Sequence, residues 1–487
     1  MKKLISILLL LSMLIGMVSC ANFDEENTEN AAQVNTDEKE LTIVDRLGHL
    51  DYGEEAFNVL CWGSGAGQTF GSNYHCNDLY VEETSDSISQ AIYRRQVYVE
   101  ELLNVKLTPT YLTNATTAFQ TGVQSGDDSY DMAMLIIRDG GVDAFDLSLQ
   151  NLLFNLKDLE YVDLNEAYWD KQAVEAFTVN NKCFIGVGDI TLADELLAGA
   201  MLYNKKMAAE FQIGDVYSMV NEGDWTIDKL IEMMTNVGSD LNNDSIYDKN
   251  DRFGYLGEER TLDQMWFASG ETMTHKNPDG SMYVDLIGER SVAVIDKVWS
   301  LMNENANFGY WTKIESSANT ANYELFTANK VLFQGTTMRP ITQLRGKDVE
   351  YGIIPYPKYD EDQEKYYTYQ NPGACISAVV PVTASDTEMS GAVMEALAYY
   401  GKQELYPAIY EVLLQYKVAQ DLESQQMLDL IYSNRVWDLA FAADCGNIYT
   451  FLSQNVLITG NISSSYAKLK IRVDKDFKDL IKIYNSN

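Results

Sequence analysis

The sequence predicts an α/β protein in which the strands of a parallel sheet alternate with helices. Three observations lead to this prediction. An apolar run at 57–62 has the length of a buried strand, and similar runs follow at 105–111 and 130–137. The two intervals between them carry apolar residues at helical spacing, at Ser87–Leu103 and Ala115–Ser125. The order β, α, β, α, β favours parallel pairing, because a parallel connection needs a crossover helix.

The first strand ends in a glycine-rich stretch, Gly63-Ser-Gly-Ala-Gly67. These glycines lack the GxGxxG spacing and no clear helix follows directly, so a dinucleotide-binding loop is not supported. A strand that runs into such a loop still allows backbone to approach a ligand. The next helix has apolar residues at Ile88, Ile92 and Val99, with Asp86 as a candidate N-cap.

The last quarter of the chain is predicted to be helical. Apolar residues recur there at steps of three and four, the spacing of one face of a helix. The segments with this spacing are 389–403, 406–416, 436–443 and 473–484.

The amino terminus has the pattern of a bacterial lipoprotein signal. Two lysines precede an apolar run at 4–18, which is short for a membrane span, and Val18-Ser19-Cys20 resembles a lipoprotein cleavage site. We therefore expect residues 1–19 to be a signal peptide and Cys20 to carry lipid. A secretory signal without lipid that happens to end in Cys is the alternative. Residues 20–40 are polar and acidic and predict a flexible tether.

Composition excludes several classes of function. The 487 residues carry a net charge of −36, and loss of Lys2 and Lys3 with the signal peptide takes it to −38. So acidic a chain repels phosphate backbones, and we expect no binding to nucleic acid. Cysteines and histidines show no zinc-ligand spacing and no nucleophile–base motif. Five cysteines remain apart from Cys20. We interpret them as buried thiols, and a disulfide between Cys61 and Cys76 is the alternative.

The loop 240–251 predicts a calcium site. Side-chain oxygens fall at loop positions 1, 3, 5, 9 and 12, and position 7 would contribute its backbone carbonyl. In order these residues are Asp240, Asn242, Asp244, Asp248 and Asp251, with Ile246 at position 7. Ser245 stands where the pattern prefers Gly, and Asp251 replaces the usual Glu. The alternative is an acidic, turn-rich loop that binds nothing. We expect the calcium ion to have a structural role.

Several later segments together resemble one protein family. Leu-Tyr-Asn-Lys-Lys at 202–206 and Gly-Asp-Trp-Thr-Ile-Asp at 223–228 are two of them. The others are the oxygen-rich loop with 251–254, then 326–333 and 351–361. In order and spacing they resemble the extracellular solute-binding lipoproteins of ABC importers, in the sugar-associated group known as family 1.

This resemblance implies a two-lobed fold like that of periplasmic binding proteins, with several crossings between lobes and a helical C-terminal portion. Lobe 1 would comprise 41–187 with 376–425, and lobe 2 would comprise 188–375 with 426–487, including the calcium loop. No reaction would be catalysed. The protein would be a monomer on the outer face of the bacterial cytoplasmic membrane. It would capture a carbohydrate, foremost an oligosaccharide, and deliver it to the ABC permease. The alternatives are a surface glycoside hydrolase and a glycan-adhesion lipoprotein without a transport role.

Candidate ligand-binding residues follow from the chemistry of sugars. Aromatic faces suit the C–H surface of a sugar ring, and planar polar groups suit its hydroxyls. Residues of these kinds stand where strands run into loops, in segments that resemble the cleft-lining parts of the family. They are Trp62, Arg138, Asp139, Asp189, Trp266 and Arg339, with Trp169 and Trp311 in reserve. A core position for each tryptophan and a surface ion pair for Arg138 and Asp139 are the alternatives.

Overall fold

The structure is a computed structural model. It describes residues 42–63, 78–81, 87–138, 140–314, 321–344, 347–415 and 422–485. The predicted signal peptide 1–19, the tether 20–40 with Cys20, and the residues Cys76, Asp86 and Asp139 lie outside these ranges. Within the described ranges, no helix combines the length and the apolar character that crossing a membrane requires.

The first sheet has the strand order β12-β3-β1-β2. Its strands are β1 (Glu55–Trp62), β2 (Val105–Leu112), β3 (Met132–Ile136) and β12 (Ile376–Val379). Strand β1 pairs in parallel with both β2 and β3, which confirms the predicted parallel sheet. Strand β12 joins β3 in antiparallel pairing, so a segment from late in the chain completes the sheet.

The second sheet has the order β10-β4-β9-β5-β8. Its strands are β4 (Gly199–Asn204), β5 (Phe253–Gly257), β8 (Phe308–Tyr310), β9 (Val331–Thr337) and β10 (Tyr351–Ile354). Strand β4 runs antiparallel to β9 and β10, whereas β5 runs parallel to β8 and β9. The chain therefore builds two separate sheets, one for each lobe of an α/β fold.

Two short sheets complete the strand pairing. Strands β6 (Thr274–Lys276) and β7 (Met282–Val284) form an antiparallel hairpin. Strand β11 (Thr368–Tyr369) pairs in parallel with β13 (Arg435–Val436). The second of these sheets lies in the part of the chain that connects the two large sheets.

Helices surround the sheets. The helices that precede β5 are α1 (Ile43–Leu47), α2 (Ser87–Leu103), α3 (Ala115–Ser125), α4 (Ala144–Leu149), α5 (Lys171–Phe177), α6 (Ala193–Leu196), α7 (Lys205–Glu210), α8 (Val216–Glu222) and α9 (Ile227–Met234). Those between β5 and β10 are α10 (Thr261–Ala268), α11 (Glu289–Asn303), α12 (Trp311–Ile314), α13 (Ala321–Thr327) and α14 (Met338–Ile341). The remaining ones are α15 (Thr387–Gln415), α16 (Leu422–Ser433), α17 (Leu439–Ala442), α18 (Leu457–Thr459) and α19 (Ile462–Asn485). The predicted bounds of α2 and α3 are confirmed.

Helix α15 differs from its prediction. The sequence predicted two helices, 389–403 and 406–416, whereas the structure has one helix that continues through Pro407. A proline inside a helix removes one backbone hydrogen bond and usually ends or bends the helix. Here the residues around the proline are held by burial, since Leu405, Ala408 and Ile409 all lie in a hydrophobic core.

Two hydrophobic cores meet on opposite faces of the second sheet. Because side chains alternate along a strand, Met201 and Tyr203 of β4 enter the larger core, which also fills the first lobe. Ala200 and Leu202 enter the smaller core on the other face. Burial on both faces is the usual environment of a sheet covered by helices.

Four cysteines belong to the described chain. Cys61, Cys183, Cys375 and Cys445 are free and buried, which agrees with their reading as core thiols. Burial raises the pKa of the Cys183 and Cys375 thiols. A thiol with a raised pKa is a poor nucleophile.

Candidate functional site

The strand ends define where a ligand could bind. In open α/β sheets, ligands bind beyond the carboxyl ends of the parallel strands. On the first sheet these ends are Trp62 of β1, Leu112 of β2 and Ile136 of β3. On the second sheet they are Gly257 of β5, Tyr310 of β8 and Thr337 of β9. The residues directly after these ends are therefore candidates for contact with a ligand.

Arg138 follows β3 by two residues and makes an ion pair with Asp444. Asp444 comes from the C-terminal portion, just after α17, so this contact joins the edge of the first sheet to a distant part of the chain. A second carboxylate oxygen, Oδ2 of Asp143, lies 3.5 Å from Nη1 of Arg138. Only 13% of the Arg138 side chain is exposed. Arg138 thus takes part in a largely buried ion pair, in which the acidic partners are Asp143 and Asp444.

Two guanidinium groups lie close to the ring of Tyr449. The guanidinium carbon of Arg138 is 5.6 Å from the centre of the Tyr449 ring, and that of Arg260 is 4.1 Å from it. Arg260 follows strand β5 by three residues and also donates a hydrogen bond to the Tyr449 carbonyl, at 3.4 Å. Aromatic faces attract cations at such distances. The edges of the two sheets therefore meet at Tyr449.

Two further hydrogen bonds fix the Tyr449 side of this site. The hydroxyl of Tyr449 donates to Oδ1 of Asn371 at 2.9 Å, and Asn371 lies in the segment that leads back to the first sheet. The backbone N–H of Tyr449 donates to Oδ1 of Asp444 at 2.8 Å. A side chain at Gly373 would overlap the Tyr449 hydroxyl, so glycine is needed there for the close approach. We call Arg138, Arg260, Asn371, Asp444 and Tyr449 the Tyr449 cluster.

Buried acidic groups surround Arg260. Burial raises the pKa of Asp263 to about 7, although Arg260 at 3.9 Å acts in the opposite direction. Burial also raises the pKa of Glu258. The pKa of Arg260 itself is raised, because Tyr369, Tyr449, Asp263 and Glu258 outweigh the opposing effect of burial. Arg260 therefore keeps its positive charge at the edge of the second sheet.

Other predicted residues also lie at these two edges. Trp62 is half-buried at the end of β1, where it stands opposite Leu112 in the sheet. Arg339 is half-buried in the first turn of α14, directly after β9. Trp311 begins α12 directly after β8 and is half-buried. Trp62, Arg138, Arg339 and Trp311 thus all lie at or directly after carboxyl ends of parallel strands, as the strand-end rule requires of ligand-binding candidates.

Trp266 does not fit its predicted role. It is completely buried in α10, and every residue of that helix is buried. The ring leaves no accessible face on which a sugar could stack, contrary to the prediction. A helix covered on all sides places each of its residues in the core, whatever their chemistry. The reserve candidate Trp169 is also buried, and its indole N–H donates to Oε2 of Glu395 at 3.2 Å.

Asp189 lies in a different place from the Tyr449 cluster. It lines a cavity of about 320 Å³ together with Asp194, Glu195, Lys402 and Arg435. Its carboxylate is 3.3 Å from the Lys402 ammonium group. Burial raises the pKa of Asp189 to about 7. None of the described residues that line this cavity belongs to the Tyr449 cluster.

The loop 240–251 is folded around its own side chains. Asp240 accepts hydrogen bonds from the backbone N–H groups of Asn243 and Ser245, at 2.7 and 2.8 Å. Asp251 is completely buried and accepts from the N–H groups of Leu241 and Asp248, at 2.8 and 2.9 Å. Ser245 has a φ of +65°, the left-handed conformation that glycine usually supplies at this position.

The five side chains predicted as ligands in this loop carry oxygens of the right chemistry, and each accepts a hydrogen bond within the loop. In the described part of the chain, no three His, Cys, Asp or Glu side chains are grouped closely enough to hold a metal ion. Calcium binding stays a prediction for this loop.

Some residues of the site could not be found from the sequence. Arg260 follows a strand end, and the strand-end rule would have found it once β5 was recognised. Tyr449, Asp444 and Asn371 are different, because each comes from a segment without a strand of the large sheets. No local pattern marks them, since their role arises only when distant parts of the chain meet.

Comparison with known proteins supports the fold. No protein-family model and no curated protein matches the chain. Several solved structures do match the chain. An ABC substrate-binding protein of Listeria monocytogenes in complex with cycloalternan has a TM-score of 0.51 at 12% identity, covering 90% of this chain and 98% of that one. Apo RafE of Streptococcus pneumoniae has a TM-score of 0.54 at 13% identity, with coverages of 87% and 98%.

A third structure, a family 1 extracellular solute-binding protein of Bifidobacterium longum subsp. infantis, has a TM-score of 0.52. Its identity to this chain is 13%, with coverages of 88% and 99%. At such low identity the likeness shows a shared fold. That fold is the two-lobed α/β fold of ABC solute-binding proteins, which confirms the predicted architecture.

Proposed function

We propose that the protein is a solute-binding protein of an ABC importer that captures a carbohydrate between its two lobes. The observation that carries this proposal is the Tyr449 cluster. It joins the ligand-binding edges of both sheets through one aromatic ring and two guanidinium groups. Aromatic faces and planar donors are the groups that sugars need. The shared fold supports the proposal, because a structure of that fold holds cycloalternan and another holds raffinose.

The proposed mechanism is binding without catalysis. A solute that contacts both sheet edges would bind one lobe arrangement better than others and would shift the population toward it. Arg138 with Trp62 would contact the solute from the first sheet, and Arg260 with Arg339 from the second. The net charge of −36 does not disturb a neutral sugar, whereas it disfavours the approach of an anion. The permease would then receive the solute from the closed form.

The anchoring of the protein is part of the same proposal. Cys20 would carry lipid after removal of residues 1–19, and 20–40 would tether the lobes to the outer face of the cytoplasmic membrane. The loop 240–251 would bind calcium and stabilise lobe 2 at a distance from the solute. We expect the protein to act as a monomer.

A glycan panel tests the proposal. Thermal-shift measurements on the purified protein should show stabilisation by at least one neutral oligosaccharide, because a ligand that binds only the folded state raises its stability. Calorimetry should then give a saturable heat. Chromatography of the incubated glycan should show it unchanged, whereas cleavage would indicate a glycoside hydrolase. Stabilisation by no glycan of the panel would count against a carbohydrate solute.

A further inference from the structure

Two connecting segments join the sheets, and a cluster of charged residues lies between them. Segment 187–198 leads from the first sheet to β4, and segment 370–375 leads from the second sheet back to β12. Strand β13 pairs beside the second segment. The charged residues here are Asp170, Asp189, Asp194, Glu195, Lys402 and Arg435, which we call the hinge cluster.

Arg435 is the centre of the hinge cluster. Its guanidinium group lies 2.9 Å from the carboxylate of Asp170, 3.1 Å from that of Asp194 and 3.7 Å from that of Glu195. Asp170 caps α5 of the first lobe, whereas Asp194 and Glu195 belong to the first connecting segment. The second segment joins through Gln370, whose amide donates to the Asp194 carbonyl at 3.0 Å. Arg435 therefore links α5 to the first connecting segment, and the second segment is joined to Asp194 of the first.

The cluster contains more carboxylates than cations. Among the described residues that line the cavity, Arg435 and Lys402 are the only cations beside its four carboxylates, and Asp429 of α16 adds a fifth carboxylate. Asp194 and Glu195 are 1% and 2% exposed. An unpaired charge at such depth is costly, and a buried acid commonly takes up a proton instead.

Asp194 and Glu195 approach the same nitrogen of Arg435, because their carboxylates lie 3.1 and 3.7 Å from Nη1. Oδ1 of Asp194 and Oε2 of Glu195 are buried and have no hydrogen-bond partner among the described residues. Two ionised carboxylates can only accept hydrogen bonds, whereas a proton held by the pair would allow one carboxyl group to donate to the other. Burial foremost raises the pKa of both groups, and for Glu195 the charges of Asp194 and Asp189 add to the effect.

We propose that Asp194 and Glu195 share one proton at neutral pH, and that this proton keeps the first connecting segment in place against Arg435. Loss of the proton would leave two adjacent carboxylates in the cavity and would loosen the connection between the lobes. The charged and titratable groups that face the pair are Asp170, Asp189 and Arg435, Lys402 and Tyr406 of α15, Asp429 and Tyr432 of α16, and Cys375. The attachment of the first connecting segment to Arg435, and with it the connection between the lobes, thus depends on pH.

The direction of the effect follows from linkage. The pKa of Glu195 in the folded protein lies well above its ordinary value of 4.5. Between these two pKa values the folded state binds one more proton than the unfolded state, so stability falls as pH rises through this range. One proton changes the unfolding equilibrium constant about tenfold per pH unit.

The variant Glu195→Gln tests the proposal, because glutamine keeps the shape but cannot titrate. Chemical unfolding would be followed from about pH 5 to about pH 9, alongside the control Glu210→Gln, which alters an exposed residue of α7. We expect the stability of the wild type and of Glu210→Gln to fall along the same curve as pH rises. Within the titration range, the unfolding equilibrium constant of Glu195→Gln should increase about tenfold less per pH unit. Parallel curves for all three proteins would overturn the proposal.

A second measurement needs no variant. The ¹³C shifts of the Asp194 and Glu195 carboxyl carbons in the wild type should report one bound proton at neutral pH, released at higher pH. Hydrogen exchange in 190–198 and 368–371, corrected for its intrinsic pH dependence, should accelerate as that proton leaves. Two ionised carboxylates at neutral pH, or exchange that does not follow their titration, would refute the proposal. Neither readout requires a solute, so the outcome does not depend on the proposed function.

Discussion

The guanidinium carbon of Arg260 lies 4.1 Å from the centre of the Tyr449 ring. This contact links the end of strand β5 to the C-terminal portion, and Arg138 approaches the same ring from the first sheet. Tyr449 therefore contacts residues that follow strands of both large sheets, which is where the proposed solute would bind. The contact makes Tyr449 the residue whose replacement is most informative about the site.

We predict that Tyr449→Ala weakens solute binding by about 1–3 kcal/mol, the scale for losing a buried aromatic contact. Tyr449→Phe keeps the ring close to the two guanidinium groups and loses only the hydrogen bond to Asn371, so it should bind more tightly than the alanine variant. Calorimetry with the best glycan of the panel measures both. Tyr283→Ala, at an exposed position of the β6–β7 hairpin, is the matched control. Wild-type affinity in a folded Tyr449→Ala protein would place the site elsewhere.

The tryptophans Trp62 and Trp266 should respond differently to the same change. Trp62 is half-buried at a sheet edge, so Trp62→Ala should reduce affinity by about 1–3 kcal/mol. Trp266 is completely buried, so Trp266→Ala should lower the free energy of unfolding by about 3–5 kcal/mol through the cavity it leaves. Urea unfolding and calorimetry on both variants separate the effects. If Trp266→Ala were as stable as the wild type, its core position would be wrong.

Asp263 predicts a dependence of stability on pH. Its pKa rises from 3.8 to about 7 in the folded protein because it is buried. The folded state therefore binds more protons between these values, and the contribution of Asp263 to stability is lost as pH rises through about 7. The loss amounts to about 1.4 kcal/mol per pH unit within that range. In Asp263→Asn this component should be absent, so the variant should gain stability relative to the wild type as pH rises.

Urea unfolding at about pH 5 and about pH 8 measures the Asp263 effect. Asp224→Asn removes an exposed carboxylate and serves as the control. A stability difference between Asp263→Asn and the wild type that stays constant with pH would contradict the prediction.

The loop 240–251 should make stability depend on calcium. A cation that binds only the folded state raises the melting temperature, so a chelator should lower it and added Ca²⁺ should restore it. Asp240→Ala removes the first ligand and should abolish this response. Asp279→Ala, in a turn outside the loop, should keep it. An identical melting temperature with and without chelator would favour an acidic loop that binds no cation.

Lipidation of Cys20 should determine whether the protein is attached to the membrane. If it carries lipid, the wild type will sediment with membranes, and Cys20→Ala will release it into the soluble fraction. The control Cys183→Ala alters a buried thiol and should leave the distribution unchanged. A Cys20→Ala protein that stays with the membrane would require another anchor.

The sequence predicted the local parts of the fold well and the long-range parts less well. Strand β1 and helices α2 and α3 were predictable because their apolar spacing is set by neighbouring residues. Trp266 was misjudged, because a tryptophan in a core helix and one at a surface look alike in sequence. Tyr449 was missed because its contacts, Arg138 and Arg260, lie about two or three hundred residues away along the chain.

The long helix α15 lies against α2, and this pair has a mechanical consequence. The rings of Tyr98 and Tyr400 are 5.3 Å apart, and Arg94 pairs with Glu404 at 2.6 Å, so the two helices run in opposite directions. Each helix enters the larger core at one end and the smaller core at the other. Helix α15, about 40 Å long, therefore packs with α2 into both hydrophobic cores. A substitution that separates these two helices should consequently disturb both cores at once.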